Sequence, residues 1–366
     1  MTKNALKIAY IVPALIKRGP VIFTENIING LAGQPDIHIE VFHVDNRKGV
    51  VFRAPVSKLT LGNLKRLFEF DIVHSTQFVP DLLVALLPLG RRRKVTGMLN
   101  FIEEDLGYRF PRVVAWPVAK AWYWALKRFN GIIYYSDFME KYYTHRLRAG
   151  KFVTIDPGVP APTPEPIDRA DDALFKGLRA RGLRIIGTVC MINRRKGLDQ
   201  LIHCLAAMPD CAVVVVGEGA VGEGLNQLAV ERGVKDRFHI IGFRDRSARY
   251  NLQFDIYAMV SRSEGYGLAM LEALGSGIPV VCSRLPIYTE SIGEQELAFF
   301  SVDDLEDLSR TLRKVLDDPA PWAAAALDLF SRRFSLEAMC LRHLQFYRRC
   351  LESSHSKGPS SLKMLE

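Results

Sequence analysis

One segment in the second half of the chain combines two glutamates, several glycines and the start of a predicted helix. It runs from Ser261 to Val281 and carries Glu264 on a loop and Glu272 one turn into a predicted helix that begins near Leu268. Free backbone N–H groups at such a helix start, approached through the small Gly267, can bind a diphosphate. The two carboxylates can accept hydrogen bonds from sugar hydroxyls on either side of it. Acidic residues near a helix start also complement its dipole, but that role requires neither the glycines nor the strand that follows.

A basic run lies upstream of this segment. Arg194, Arg195, Lys196 and Gly197 follow the first predicted strand of the second half. Three cations at the carboxyl end of a strand can neutralise a departing nucleoside diphosphate. The alternative is an exposed basic turn with no ligand.

A glycine-rich turn follows the apolar run Val213–Val216. Gly217, Gly219 and Gly222 satisfy the G-x-G-x-x-G pattern of dinucleotide-binding proteins. That pattern belongs to the first strand of its sheet, whereas this is the second, and no acidic residue ends a following strand at the expected spacing. The alternative that the protein is an NAD-dependent oxidoreductase therefore rests on this turn alone.

Short β-branched runs alternate with longer helical stretches along the whole chain, which predicts parallel α/β sheets. In the first half the predicted strands are Leu6–Val12, Ile37–Val44, Ile72–Ser75, Lys94–Leu99, Gly131–Tyr135 and Lys151–Ile155, and the predicted helices are Phe23–Ala32, Leu61–Glu69, Pro80–Pro88, Val113–Phe129 and Ser136–Arg148. In the second half the predicted strands and helices alternate through Arg184–Val189, Leu198–Ala207, Ala212–Val216, Gly224–Arg232, Phe238–Ile241, Ser247–Gln253, Ile256–Val260, Gly267–Gly275 and Pro279–Cys282. A further helix is predicted over Asp304–Asp317.

A proline-rich linker separates the two patterns. The stretch Asp156–Asp172 carries five prolines, which lack the N–H donor that sheets and helices need. We therefore predict one domain over residues 1–160 and a second over 161–334. A closing helix over 335–352 and a frayed tail over 353–366 follow.

Composition limits the classes of protein that remain. The 366 residues are 48% hydrophobic and 24% charged, which suits two globular domains. The six cysteines form no C-x-x-C pair, so neither a disulfide framework nor a zinc ribbon is indicated. There is no D-x-D triplet and no metal-ligand spacing of histidines, so we predict no metal.

The positive charge lies in the first half. The net charge is +9, and residues 1–150 alone carry +10. The run Arg91–Lys94 and the tryptophan-rich stretch Val113–Arg128 combine basic and aromatic side chains, as in segments that contact anionic membrane surfaces. The alternatives are a surplus that aids solubility and an amphipathic core helix with a charged edge. No apolar stretch reaches the length of a membrane span. No basic helix or aromatic sheet motif indicates nucleic-acid binding.

The segment S-x-x-E-G-x-G-x-x-x-x-E-A-x-x-x-G-x-P-V-V at Ser261–Val281 resembles the Glu-x7-Glu element of retaining GT-B glycosyltransferases, the glycosyl transferases group 1. The resemblance implies two Rossmann-like α/β domains facing a central cleft, with the C-terminal helix crossing back to the first domain. It also implies that Glu272 binds the donor ribose, that Glu264 contacts the transferred sugar, and that the N–H groups of Leu268 and Ala269 hold the diphosphate.

Three other stretches of the second domain match the family in part. Lys196 and Gly197 match the end of an R-x4-K-G phosphate element, whose arginine position holds Met191 here, so Arg194 or Arg195 supplies the second charge. The resemblance implies that Gly217 and Glu218 form a turn close to the donor base. Gly242 and Phe243 resemble the segment that flanks this base. Plain tight turns are the alternative for these glycines.

The first domain departs more from the family. Ile16–Pro20 resembles a variant of its glycine-rich loop, with Gly19 alone where two glycines are usual. His74 resembles a strand ending common in these enzymes, and a structural role is its alternative. Leu99 or Asn100 occupies a position that holds a histidine in many members. Gly19, His74 and Asn100 are thus the predicted acceptor-side residues.

The resemblance implies a retaining hexosyltransferase. The enzyme would move a sugar from a UDP or GDP donor, without a bound cofactor, to a hydroxyl of a glycan. We expect a lipid-linked intermediate of bacterial surface polysaccharide, such as lipopolysaccharide, as acceptor. The expected location is cytoplasmic, with peripheral contact to the inner face of the plasma membrane and no nucleic-acid partner. A GT-B nucleotide-sugar epimerase and an inactive sugar-nucleotide-binding partner remain as alternatives.

Overall fold

The computed structural model describes residues 5–47, 49–90, 92–147 and 151–352. The chain divides into two compact units. Unit 1 comprises the chain up to Val159 and from Leu336 onward, and unit 2 comprises Pro160–Ser335. The predicted tail over 353–366, Arg91 of the basic run and the last residue of the predicted helix Ser136–Arg148 lie outside the described residues.

Unit 1 is built on a parallel sheet of seven strands. The strands are β1 (Leu6–Ala14), β2 (Ile37–Asp45), β3 (Val56–Lys58), β4 (Ile72–Thr76), β5 (Arg93–Met98), β6 (Gly131–Tyr134) and β7 (Lys151–Thr154), in the order β3-β2-β1-β4-β5-β6-β7. The helices between them are α1 (Gly19–Leu31), α2 (Phe78–Leu86), α3 (Ile102–Arg109), α4 (Arg112–Leu126) and α5 (Asp137–Thr144). The centre of β1 is inaccessible to solvent from Ile8 to Val12, which explains its continuous apolar sequence.

Unit 2 holds a parallel sheet of six strands. The strands are β8 (Arg184–Val189), β9 (Cys211–Val216), β10 (Phe238–Ile240), β11 (Ile256–Met259), β12 (Val280–Ser283) and β13 (Ala298–Phe300), in the order β10-β9-β8-β11-β12-β13. The helices are α6 (Arg169–Ala180), α7 (Leu198–Ala206), α8 (Gly222–Glu231), α9 (Leu268–Gly275), α10 (Pro286–Thr289), α11 (Leu305–Asp317) and α12 (Pro319–Arg333). Aliphatic side chains of β8, β9 and β11 form the core with α7 and α11.

The last helix, α13 (Leu336–Glu352), returns to unit 1. The Tyr347 hydroxyl lies 2.6 Å from that of Tyr10 on β1 and 2.7 Å from Nδ1 of His74 on β4. All three side chains are buried. The predicted crossing back of the C-terminal helix is confirmed, and this helix supplies part of the unit 1 core.

The sequence analysis missed six short or polar elements: β3, β13, α3, α6, α10 and α12. The predicted helices at Leu61–Glu69 and Ser247–Gln253 are 3₁₀ turns, over Leu64–Glu69 and Ser247–Gln253. The predicted linker also ends early, because α6 begins at Arg169. Helix α1 begins at Gly19 rather than near Phe23, so Gly19 lies in the first helical turn and not in a loop. Pro20 fits that turn because a backbone N–H at this position would have no helical partner, so the missing N–H of proline costs nothing there.

Candidate donor site in unit 2

Three loops that follow neighbouring strands of unit 2 form the candidate site. The turn Arg194–Lys196 follows β8, the glycine-rich turn from Gly217 follows β9, and the loop 261–267 follows β11. In the sheet β8 lies between β9 and β11. Because parallel strands end at the same edge of a sheet, the three loops are neighbours there, where open α/β sheets bind ligands.

Arg262 joins two of these loops. Its backbone N–H donates to the carbonyl of Arg195 at 2.8 Å. Its guanidinium binds both carboxylate oxygens of Asp199, at 3.0 and 2.7 Å, and donates from Nε to Asp303 at 2.8 Å. A bidentate arginine–carboxylate pair fixes orientation as well as distance. The sequence analysis did not identify this residue, because its partners lie about 60 and 40 positions away.

Gly197 allows the basic turn to pack against the end of β11. It has φ 62°, and a Cβ atom added there would lie 2.2 Å from the carbonyl oxygen of Val260. Gln200 donates to the same carbonyl at 2.9 Å. Any other residue at position 197 would push the turn away from this strand.

Glu264 is buried among cations. Lys196 Nζ donates to its carboxylate, Arg195 Nη1 lies 4.0 Å from Oε2, and the Ser261 hydroxyl donates to Oε1 at 2.7 Å. Burial alone would raise the pKa of Glu264, but the charges of Lys196 and Arg195 hold this pKa below its ordinary value. The carboxylate is therefore ionised and holds Lys196 in place. The three residues predicted as catalytic, Lys196, Arg195 and Glu264, come from two separate motifs and lie together here.

Helix α9 presents free backbone donors beside this pair. Gly267 caps the helix with φ 77°, and its carbonyl accepts hydrogen bonds from the N–H groups of Met270 and Leu271. The first two N–H groups, of Leu268 and Ala269, have no partner within the described part of the chain. Two unpaired N–H groups at a positive helix end suit an anionic ligand.

Glu272 lies five residues into α9. Among the residues that the structure describes, its carboxylate has no hydrogen-bond or ion-pair partner. Burial raises its pKa to about 7. Since a half-buried carboxyl group without a partner costs free energy, Glu272 suits a ligand that brings hydrogen-bond donors.

The backbone of the turn after β9 lies in direct contact with the backbone of the loop after β8. A Cβ atom on Gly217 would lie 1.8 Å from the Cys190 carbonyl oxygen, and one on Gly219 would lie 1.9 Å from that of Ile192. The Ile192 N–H also donates to the carbonyl of Glu218 at 2.8 Å. The glycines thus serve a close approach between two loops, which is a structural requirement independent of NAD.

The remaining predicted donor-side residues differ in exposure, since Gly217 is buried and Gly242 is half-buried. The Gly217 N–H donates to the carbonyl of Gly242 at 2.9 Å, which links the turns after β9 and β10. The side chains of Glu218, Phe243 and Arg194 are exposed. Met191 is also exposed. Their roles towards a nucleotide stay predictions.

The three acceptor-side residues belong to three different segments of unit 1. Gly19 begins α1, His74 lies inside β4, and Asn100 precedes α3. Only 1% of His74 is exposed, its ring stacks on Tyr10, and burial lowers its pKa well below the ordinary value. This placement favours the structural alternative for His74. The Asn100 carbonyl accepts a hydrogen bond from Tyr143 at 2.6 Å, and its side chain is half-buried.

Within the described residues no group of three or more His, Cys, Asp or Glu side chains could hold a metal ion. In the same residues no helix has both the length and the apolar character to cross a bilayer.

Comparison with known proteins identifies related chains. Residues 171–327 match the family described as "Glycosyl transferases group 1". The "O-antigen biosynthesis glycosyltransferase WclY" of Escherichia coli is 30% identical over 310 residues, which cover 80% of this chain and 84% of that protein. The 2-deoxystreptamine glucosyltransferase of Streptomyces kanamyceticus is 27% identical over 211 residues, 54% of each chain.

Solved structures share the fold at low identity. Anabaena Alr3699/HepE in complex with UDP superposes with a TM-score of 0.79 at 18% identity, over 94% of this chain and all of that one. WaaG, a glycosyltransferase involved in lipopolysaccharide biosynthesis, gives a TM-score of 0.73 at 15% identity, over 93% of this chain and 99% of that one. Both have the same succession of two parallel α/β units.

Proposed function

The chain belongs to the glycosyl transferases group 1 and has the GT-B fold, and on that premise we propose that it is a retaining hexosyltransferase with a UDP or GDP sugar as donor. The observation that carries the proposal is the grouping in unit 2 of the Lys196–Glu264 ion pair, the free N–H groups at the start of α9 and the unpartnered Glu272. The chain is a glycosyltransferase by its family.

The proposed donor site assigns one part of the nucleotide sugar to each group. Lys196, with Arg194 or Arg195, and the N–H groups of Leu268 and Ala269 bind the diphosphate and stabilise the charge that develops on it as it leaves. The ribose hydroxyls donate to Glu272. Glu264 contacts the transferred sugar.

The proposed reaction needs no side-chain base. The bond between the anomeric carbon and the diphosphate oxygen breaks, and the acceptor hydroxyl oxygen bonds to the same carbon from the same face. The hydroxyl proton passes to the departing diphosphate. The protein contributes position and charge.

The proposed acceptor is a lipid-linked glycan of bacterial surface polysaccharide synthesis. In favour of it, the relative WclY is an O-antigen biosynthesis glycosyltransferase, and the chain spans most of its length. WaaG, which shares the fold, acts in lipopolysaccharide biosynthesis. The UDP complex of HepE favours a nucleoside diphosphate as the product.

The test is calorimetric titration with UDP, GDP, ADP, CMP and NAD, on the wild type and on Glu272→Ala. We expect one nucleoside diphosphate to bind and Glu272→Ala to weaken that binding at least tenfold. The matched control is Glu290→Ala, an exposed glutamate elsewhere in unit 2. Binding of NAD alone, or of no nucleotide, would contradict the proposal. Nucleotide binding without turnover of any donor sugar would favour the inactive partner.

Peripheral membrane contact is part of the proposal, and residues 108–128 form its surface. This stretch has five Lys and Arg residues and no Asp or Glu. Its exposed apolar side chains are Tyr108, Phe110, Val113, Val114, Trp116 and Trp124. Lys120 Nζ lies 3.6 Å from the ring centre of Trp116, and the Arg128 guanidinium lies 3.5 Å from that of Trp124. Aromatic rings paired with cations suit the headgroup region of an anionic leaflet.

Flotation with vesicles tests this surface. We expect the wild type to float with vesicles that contain phosphatidylglycerol and to remain behind with phosphatidylcholine alone. Val113→Ser combined with Trp116→Ser should reduce flotation several-fold, whereas Leu327→Ser, which alters an exposed leucine of unit 2, should not. Equal flotation of both variants would assign the contact to another surface.

A further inference from the structure

The turn between β4 and α2 contains a residue in an unfavourable backbone conformation. Gln77 has φ 68° and ψ 169°. Only glycine adopts this region readily, because a Cβ atom collides with the backbone there. Non-glycine residues held in such conformations cluster at ligand-binding and active sites. A glycine at position 77 would form the same turn with less backbone strain. The presence of glutamine there therefore indicates a function for its side chain.

The strained turn lies where the unit 1 sheet reverses its strand order. From β1 the sheet continues through β2 and β3 on one side and through β4 to β7 on the other. The pairing of β4 with β1 ends at Ser75, whereas Thr76 still pairs with Gly97 of β5. The two central strands therefore part at the residue before Gln77, and open α/β sheets bind ligands at this point.

The surroundings hold the turn in place. The Asp81 carboxylate accepts hydrogen bonds from Ser75 at 2.7 Å, Thr96 at 2.9 Å and the Trp122 indole at 2.8 Å. The Asp81 N–H donates to the Gln77 carbonyl at 3.0 Å, which closes the first turn of α2. Because Asp81 binds β4, β5 and α4 at once, the fold maintains the Gln77 conformation at the expense of stability.

The Gln77 side chain is not used within the fold. It makes no capping hydrogen bond to α2, and within the described residues its amide has no partner. The neighbouring Thr76 hydroxyl is buried and also unpaired. An amide offers one acceptor and two donors, which match the hydroxyl groups of a sugar and carry no charge that would favour a phosphate.

We propose that the Gln77 amide binds a hydroxyl group of the acceptor sugar at the carboxyl ends of β1 and β4. The inference rests on the proposed function and adds an acceptor-binding residue to it. Gln77 recognises the acceptor, and the donor site in unit 2 is independent of it.

The experiment compares Gln77→Gly and Gln77→Ala with the wild type. Nucleoside diphosphate release is measured from the donor identified by calorimetry, with lipid-linked glycans extracted from bacterial membranes as a mixed acceptor. Both variants lack the amide, so we expect the half-saturating concentration of extract to rise about tenfold and that of the donor to stay unchanged. Gln77→Gly also removes the strain, so its melting temperature should rise by roughly 2–4 °C.

A control separates loss of the amide from relief of strain. Arg246→Gly relieves another left-handed residue, φ 51°, in unit 2 and should leave the acceptor concentration dependence unchanged. A reduced use of acceptor in this control would show that rigidity, not the amide, matters, and would overturn the proposal.

The remaining outcomes are also decisive. Unchanged half-saturation by extract in both Gln77 variants overturns the proposal, as does a rise for the donor instead of the acceptor. A melting temperature that does not rise in Gln77→Gly shows that the fold stores no strain there and removes the premise. No nucleotide release by the wild type would mean that the proposed function itself fails, and the inference fails with it.

Discussion

At the residue scale, the ion pair between Lys196 and Glu264 is the feature with the largest expected effect on turnover. Glu264 is ionised inside the protein because Lys196 and Arg195 offset the cost of its burial. In the proposed site the same lysine also binds the departing diphosphate. Removal of the lysine therefore costs both transition-state stabilisation and folded stability.

The first prediction concerns Lys196→Met. We expect donor turnover to fall at least a hundredfold, since charged groups on leaving phosphates commonly contribute this much. The free energy of unfolding should fall by about 3 kcal/mol, because a buried carboxylate loses its nearest cation. Steady-state kinetics and chemical denaturation measure the two effects. Lys176→Met, which removes an exposed ion pair on α6, should change neither, and similar losses in both variants would contradict the assignment.

The second prediction concerns the pH dependence of nucleotide binding at Glu272. Burial raises its pKa to about 7, and in the proposed site the ribose hydroxyls donate to the ionised form. Affinity for the nucleoside diphosphate should therefore rise by about tenfold from pH 6 to pH 8. In Glu272→Gln only the titration of the nucleotide itself should remain. Isothermal titration at both pH values compares the two proteins, and identical profiles would exclude Glu272 from the ribose site.

The sequence predicted those site residues that belong to contiguous motifs. Glu264, Glu272 and Lys196 have recognisable spacing to glycines, so their roles could be proposed before the fold was known. Arg262 and Gln77 could not be found in this way. Arg262 depends on partners far along the chain, and the importance of Gln77 lies in a backbone angle that its residue type does not reveal.

At the element scale, contact with the backbone of the loop after β8 determines the position of the turn after β9. Gly217 and Gly219 approach the carbonyls of the loop after β8 so closely that no side chain fits. That loop continues into the basic turn Arg194–Lys196. The position of the cations therefore depends on glycines in a different loop.

The third prediction tests this dependence. Gly219→Ala should displace the loop after β8 and weaken nucleotide binding by about tenfold or more, because its Cβ atom would lie 1.9 Å from a carbonyl oxygen. Gly224→Ala, on α8 with open space at its Cβ position, should bind normally and gain about 0.5–1 kcal/mol of stability. Calorimetry and thermal unfolding provide the comparison. Normal binding by Gly219→Ala would show that the two loops move independently.

Long buried strands were predicted well, whereas short or amphipathic elements were not. Strands β1, β8 and β9 are mostly apolar and buried, and their bounds were predicted to within two residues. Strands β3 and β13 have three residues each, too few for a periodic pattern. The start of α6 lies within the predicted linker Asp156–Asp172, and α12, which begins at Pro319, was not predicted.

At the scale of the whole molecule, α13 makes the stability of unit 1 depend on pH. His343 on this helix is fully buried, with Nδ1 2.8 Å from the Met339 carbonyl and Nε2 3.1 Å from the Tyr135 hydroxyl. Burial lowers its pKa from 6.5 to about 4. His74 and the hydroxyls of Tyr10 and Tyr347 lie in the same core and carry no charge at neutral pH.

The fourth prediction follows from the sign of this shift. The unfolded chain takes up a proton near pH 6.5 and the folded chain only near pH 4, so the contribution of His343 is complete above pH 6.5 and is lost towards pH 4. Acidification from pH 7.5 to pH 5 should cost about 2 kcal/mol through this residue. Thermal unfolding at both pH values should show a smaller loss for His343→Gln. The exposed His145→Gln should behave as wild type, and equal losses in all three proteins would contradict the prediction.

The return of α13 to unit 1 also governs the order in which the chain can fold during its synthesis. Unit 2 interrupts unit 1 in sequence, so the ribosome completes all of unit 2 before it makes Tyr347 and His343. Until then, Tyr10, His74 and Tyr135 have sheet partners but lack the side chains that cover them. Of the two units, the one that is begun first is therefore finished last, and a nascent chain must hold an incomplete unit 1 sheet while unit 2 folds.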